Sequence, residues 1–130
     1  MQAKNTLITA AVAGFSGVAL GAFGAHGLKG VLSADMLTVY QTAVQYHLIH
    51  AVVLLALSLW LQVQPSRWLS WSARLMLLGL ILFSGSLYLL ALSGVRPLGM
   101  ITPLGGVSWL LGWSALLVAA VKLKTSSHSL

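Results

Sequence analysis

The sequence predicts an all-α membrane protein, a bundle of four transmembrane helices with an amphipathic lead-in before the second span. Three observations predict it. The chain is 58% hydrophobic and 6% charged, with a mean hydropathy of +0.95, whereas a soluble domain draws about a quarter of its residues from the charged types. The apolar residues form four long runs, each near the about 20 residues that cross roughly 30 Å of hydrocarbon. Short clusters of Gly, Pro, Ser and Lys/Arg separate the runs. A soluble helical protein would need charged outer faces, and these runs have none. One integral membrane domain, 1–124, takes up the chain, and the Ser/Thr/His tail at 125–130 reads as disordered.

The first span runs from about Thr6 to Ala25. Lys4 ahead of an apolar stretch also suits a signal peptide, but the run is longer than a typical h-region of about 7–15 residues, so it reads as a retained helix. Gly27, Lys29 and Gly30 break the pattern. Ser33 then stands as an N-cap, with Asp35 in the first turn where its charge suits the helix dipole. From Ala34 to Val63 the pattern stays helical and is too long for a simple crossing. The stretch to about Thr42 is therefore expected to lie near the interface as the lead-in. Gln64-Pro65-Ser66 is a turn. The third span covers about Trp68 to Ser93, and Gly94 to Pro97 turn the chain again. Pro103 falls in the first turn of the fourth helix, where its missing N–H costs nothing, and that helix ends near Lys122.

Seven Lys/Arg against a single Asp give a net charge of +6. In a soluble protein that would suggest nucleic acid. Here the cations stand at span ends without a basic cluster interleaved with aromatics, so they are read as topology signals that touch membrane lipids. Lys4, Arg67, Arg74, Lys122 and Lys124 share one side, and Lys29 and Arg96 the other. The excess places both termini in the cytoplasm. Trp60, Trp68 and Trp71 gather at the same end as an aromatic belt. The absence of cysteine excludes disulfides and thiolate sites.

Small residues recur at helical spacing. Ala10, Gly14, Gly17, Gly21 and Gly24 mark the first helix; Ser72, Gly79, Ser86 and Ser93 the third; Gly105, Ser108, Gly112, Ala115 and Ala119 the fourth. Such stripes let membrane helices approach closely. They serve packing within one bundle, or one of them forms an interface in a homo-oligomer or with a partner membrane protein. The glycines from Gly21 to Gly27 are no phosphate loop, since no strand precedes them and no GKS/T follows.

Polar residues concentrate toward the outer end: His26, Lys29, Asp35, Tyr40, Gln41, Gln45, His47, His50, Arg96 and Thr102. Tyr40, His47 and His50 stand at spacings of seven and three. His50, inside the span, needs a partner, and Ser84, Ser86 or Tyr88 of a neighbouring helix are the expected ones. Two functional readings follow. His26, His47 and His50 are candidate ligands for a metal or haem, although no thiolate and only Asp35 could support them. Alternatively, Arg96 and Lys29 hold the polar end of a lipid or quinone. Acid–base catalysis needs two titratable groups with separated pKa values, and a chain with no Glu offers little for it. No cofactor is named by these residues.

Three ordered motifs then carry a resemblance. They are Leu20-Gly21-Ala22-Phe23-Gly24-Ala25-His26 preceded by Gly17; Gln41-Thr42 with Tyr46 and His50; and Phe83-Ser84-Gly85-Ser86-Leu87-Tyr88 with Thr102-Pro103-Leu104-Gly105-Gly106 and Gly112-Trp113. In these the chain resembles the DUF423 family of small bacterial inner-membrane proteins, related to the eukaryotic transmembrane protein 256. The resemblance spans the chain up to Leu123. It implies a multi-pass inner-membrane protein and no established activity. Its motif positions include His26, Gln41, His50, Tyr88 and Thr102, favouring His26 and His50 over His47 as shared polar positions.

Overall fold

The computed structural model describes residues 1–124, so the tail at 125–130 and His128 lie outside the described residues. Four long apolar helices account for nearly all of it: α1 (Ala3–Gly27), α2 (Ala34–Val63), α3 (Arg67–Ser93) and α4 (Thr102–Val121). A 3-10 turn (Arg96–Met100) leads into α4.

The turns form where their residues demand them. The Ser33 side chain accepts the Met36 N–H and starts α2, and Ser66 accepts the Trp68 N–H and starts α3. Gly94, at φ 69, ends α3 in the left-handed conformation that glycine adopts without steric cost. The expected lead-in is amphipathic, with Asp35, Thr38 and Gln41 outward and Tyr40 buried. It forms the first turns of an unbroken 30-residue α2, about 45 Å long and so longer than the hydrocarbon core. Those turns stay in the bundle because Leu28, Tyr40 and Ala91 form a second small core with Leu20, Leu32, Leu37 and Tyr88 around it.

The main core joins α2, α3 and α4 through Leu54, Leu57, Leu61, Leu69, Ala73, Met76 and Trp109. The third span also departs from a regular helix. Residues Leu80–Ser84 wind as a π-helix. Leu80, Ser84 and Tyr88 stand four apart, a spacing that drifts about 40° per step around an α-helix. Ser84, at the end of the wider turn, and Tyr88, one α-helical turn on, both reach α2.

Several small residues of the stripes lie where helices approach closely. A Cβ on Gly24 would meet the Tyr40 ring, one on Gly79 the Trp109 ring, and one on Gly105 the backbone of Phe83. Gly17 and Gly21 lie against Leu48 and Val44, and Gly112 against Leu75 and Met76. Two positions differ. Gly14 has nothing within 4 Å of where its Cβ would be, because a hollow lies between α1 and α2 at that level. Ser93, past the π turn, is exposed and bonds the Leu89 carbonyl of its own helix. Hydroxyls and the indole stitch α3 to α4: Ser72 donates to the Gly112 carbonyl, Ser108 to Leu75 and Trp109 to Met76. Where lipid supplies no hydrophobic drive, such bonds and close packing hold helices together.

Candidate functional site

Buried polar side chains are costly in a membrane interior, so each must find a partner or leave a recognisable gap. His47 finds three. Its Nε2 lies 2.8 Å from the Ala13 carbonyl oxygen, which can only accept, so this nitrogen carries the proton. Nδ1 is then the acceptor, and the Tyr88 hydroxyl donates to it at 2.9 Å. Ser16 Oγ stands 3.2 Å from Nε2 and donates to the Ala13 carbonyl, closing the set. One imidazole thus joins α1, α2 and α3. Tyr40 lies beside it, edge-on to Tyr88 at 5.3 Å, with its hydroxyl on the Leu20 carbonyl of α1.

His50 is different. Three residues on, it turns toward α4, and its Nδ1–H donates to the Tyr46 carbonyl of its own helix at 2.8 Å. The ring stacks flat on the Trp109 indole, centroids 3.7 Å apart at 3°. Among the described residues Nε2 is left buried without a partner. The expected bonds from His50 to Ser84, Ser86 or Tyr88 do not form. Tyr88 serves His47, Ser84 donates to the Ala43 carbonyl, and Ser86 bonds Thr102 at 2.6 Å.

The polar residues expected at the outer end therefore divide. His47, His50 and Tyr40 are buried, whereas His26, Gln41 and Arg96 are exposed. Among the described residues no three His or Asp side chains gather in a group that could hold a metal ion, so His26, His47 and His50 are not brought together. Three hollows lie along the α1–α2 pair instead, one of about 360 Å³ at the Lys4 end beside Leu7, Ser58 and Gln62, and two farther along. Of these two, one, of about 210 Å³, is lined by Gly21, Gly24, Ala25, Gln41, Val44 and Gln45, together with Tyr40. The other, of about 480 Å³, lies deeper against Leu7, Ala11, Gly14, Val18, Leu48 and Val52. Arg96, Tyr88 and Thr102 line neither.

Sequence reasoning overlooked Ser16 and Trp109. Both carried a signal: a serine in mid-span, and a tryptophan far from the interfacial belts whose N–H must be satisfied inside the bundle.

Comparison with known proteins agrees with this architecture. A family model described as a protein of unknown function, DUF423, matches residues 20–106. The UPF0382 inner membrane protein YgdD of Escherichia coli K12 is 46% identical over 129 residues, covering 99% of this chain and 98% of the relative. The UPF0382 membrane protein YwdK of Bacillus subtilis is 42% identical over 126 residues, covering 92% and 98%. A Staphylococcus epidermidis relative, UPF0382 membrane protein SERP0230, is 41% identical over 119 residues, with 92% and 97% covered. No solved structure matches the chain. With four long apolar helices and this identity over nearly its whole length, the chain belongs to the DUF423, or UPF0382, family of small multi-pass bacterial inner-membrane proteins.

Proposed function

We propose that this protein is a non-enzymatic inner-membrane component that seats one phospholipid along the crevice between α1 and α2. The observation that carries the reading is the pair of hollows on one face of these helices, apolar at depth and edged by the Gln41 and Gln45 amides toward the outer end. The deeper hollow falls within the about 300–1,000 Å³ of small-molecule sites. It is too small for a partner helix, whose body is about 10–12 Å across, and suits an acyl chain. The amides above it supply donors and acceptors for a headgroup and glycerol backbone.

Gly14→Leu tests this reading. The site has room, and the change removes a glycine from a helix interior, so the bundle keeps or gains stability. Native mass spectrometry of the detergent-purified protein is expected to show one retained phospholipid in the parent and at least a tenfold loss in Gly14→Leu. Equal retention in both, or a dimer in the parent that Gly14→Leu splits, would overturn the lipid seat.

The same reading places both termini in the cytoplasm, supported by the excess of Lys and Arg at that end. The chain contains no cysteine, so single thiols report cleanly. Val31→Cys, in the exposed α1–α2 turn, is expected to react with an impermeant maleimide in intact spheroplasts, and Gln64→Cys only after lysis. The reverse pattern would invert the topology.

One observation favours a second reading: the unpartnered Nε2 of His50 among Tyr46, Phe83, Trp109 and Trp113. An acceptor nitrogen there suits a quinol hydroxyl or a haem iron. The same mass spectra decide it, since this reading requires a cofactor mass that is lost in His50→Leu and kept in Gly14→Leu.

A further inference from the structure

The inner end of the bundle carries cations that no acidic side chain of the sequence neutralises. Lys4, Arg67, Arg74, Lys122 and Lys124 lie there exposed, while the single acidic side chain, Asp35, sits at the start of α2 on the opposite side. The Met1 amine joins them, bonded to the Ser70 hydroxyl. Burial and the neighbouring Arg74 charge both push its pKa below the ordinary value.

Where α2 ends, α3 begins and α4 ends, a hollow of about 420 Å³ is lined by Trp60, Gln64, Ser66, Trp68, Lys122 and Lys124. Trp68 organises its rim. The Arg67 guanidinium lies 5.4 Å from the centroid of that ring and the Lys122 ammonium 5.3 Å from it. One indole thus holds two like charges, which repel unless an anion comes between them. The N-terminal end of the α3 dipole adds partial positive charge at the same place. Trp60 and Trp68 mark the level at which lipid headgroups meet hydrocarbon.

We infer that this hollow seats the phosphate of an anionic phospholipid from the leaflet at this end, with Lys122 and Lys124 on the phosphate and Gln64 on the glycerol. The site is separate from the α1–α2 crevice, since it shares no lining residue with it and is built by α2, α3 and α4, with no residue of α1. Charge complementarity selects the occupant: an anionic headgroup is the counter-charge that the membrane surface supplies at this depth.

The full chain, purified in a zwitterionic detergent, is titrated with phosphatidylglycerol or phosphatidylcholine, and the bound lipid is counted by native mass spectrometry. Phosphatidylglycerol is expected to bind in preference to phosphatidylcholine. Lys122→Gln and Lys124→Gln are each expected to weaken it about fivefold, the equivalent of about 1 kcal/mol per basic side chain near an anionic surface. Both changes stand at an exposed helix end, so the fold is retained. The titrations use the Gly14→Leu background, in which the crevice is filled, and Lys29→Gln and Arg96→Gln at the opposite end are expected to leave the binding unchanged. Equal binding of the two lipids, or full binding by the double Lys122→Gln, Lys124→Gln variant, would overturn the inference. Displacement of phosphatidylglycerol by an equal concentration of inorganic phosphate would overturn it too, by assigning the site to a soluble anion.

Discussion

Gly105→Ala is expected to destabilise the bundle by about 3 kcal/mol or more, at the upper end of what overpacking costs. The Cβ would fall 2.3 Å from the Phe83 backbone nitrogen and 2.8 Å from its Cα. No side-chain rotation relieves contact with backbone atoms. Relief requires α3 and α4 to separate, and separation weakens the Ser86–Thr102 and Trp109–Met76 bonds on either side. Gly14→Ala is the matched control. It adds the same methyl where nothing lies within 4 Å, and is expected to raise stability by up to about 1 kcal/mol through helix propensity. Thermal unfolding in detergent, followed by circular dichroism, reads both. If both glycines accept alanine equally well, the seam between α3 and α4 is not as close as described.

His47→Leu is expected to cost about 2 kcal/mol. Interhelical hydrogen bonds in membranes average about 0.6 kcal/mol with a maximum near 1.7, and His47 makes bonds to two other helices. The leucine also leaves the Tyr88 hydroxyl without its acceptor, which adds the cost of an unsatisfied buried group. Tyr88→Phe removes the donor and the need for an acceptor together, so it is expected to cost under about 1 kcal/mol. The double variant should then be no worse than His47→Leu alone. Full additivity, to within about 0.3–0.5 kcal/mol, would mean that the two side chains do not act on each other.

Much of the fold could be read from the residues because a bilayer leaves so few choices. Ser33, Ser66, Gly94 and Pro103 punctuate the chain where apolar runs stop, and the helices begin and end beside them. The spacing of Gly17, Gly24, Gly79, Gly105 and Gly112 also predicted close packing, which depends only on the helical period. The partnerships of the polar side chains were harder. His47 and His50 are three residues apart, and that small rotation sends one to α1 and α3 and the other to α4. The third span also winds as a π turn at Leu80–Ser84. The apolar run Leu80-Ile81-Leu82-Phe83 carries no pattern that distinguishes a π turn from an α turn. The lead-in was legible as an amphipathic start to α2, but the contact that holds it was not. Asp35, Thr38 and Gln41 look interfacial, but Tyr40 between them anchors those turns to the Leu20 carbonyl of α1. The hollow at Gly14 was invisible because a stripe of small residues predicts approach and not the local gap between two helices.

Occupancy of the α1–α2 crevice by a phospholipid can be read with a phospholipid that carries a diazirine in its acyl chain. After photolysis in the purified inner membrane, peptide mapping is expected to place the adducts on residues 7–18 of α1 and 48–55 of α2, the segments around the deeper hollow. Gly14→Leu should abolish them while leaving background labelling elsewhere. Adducts spread evenly over the exposed apolar faces of α3 and α4, such as Leu89 and Leu110, with no excess along the crevice, would contradict it.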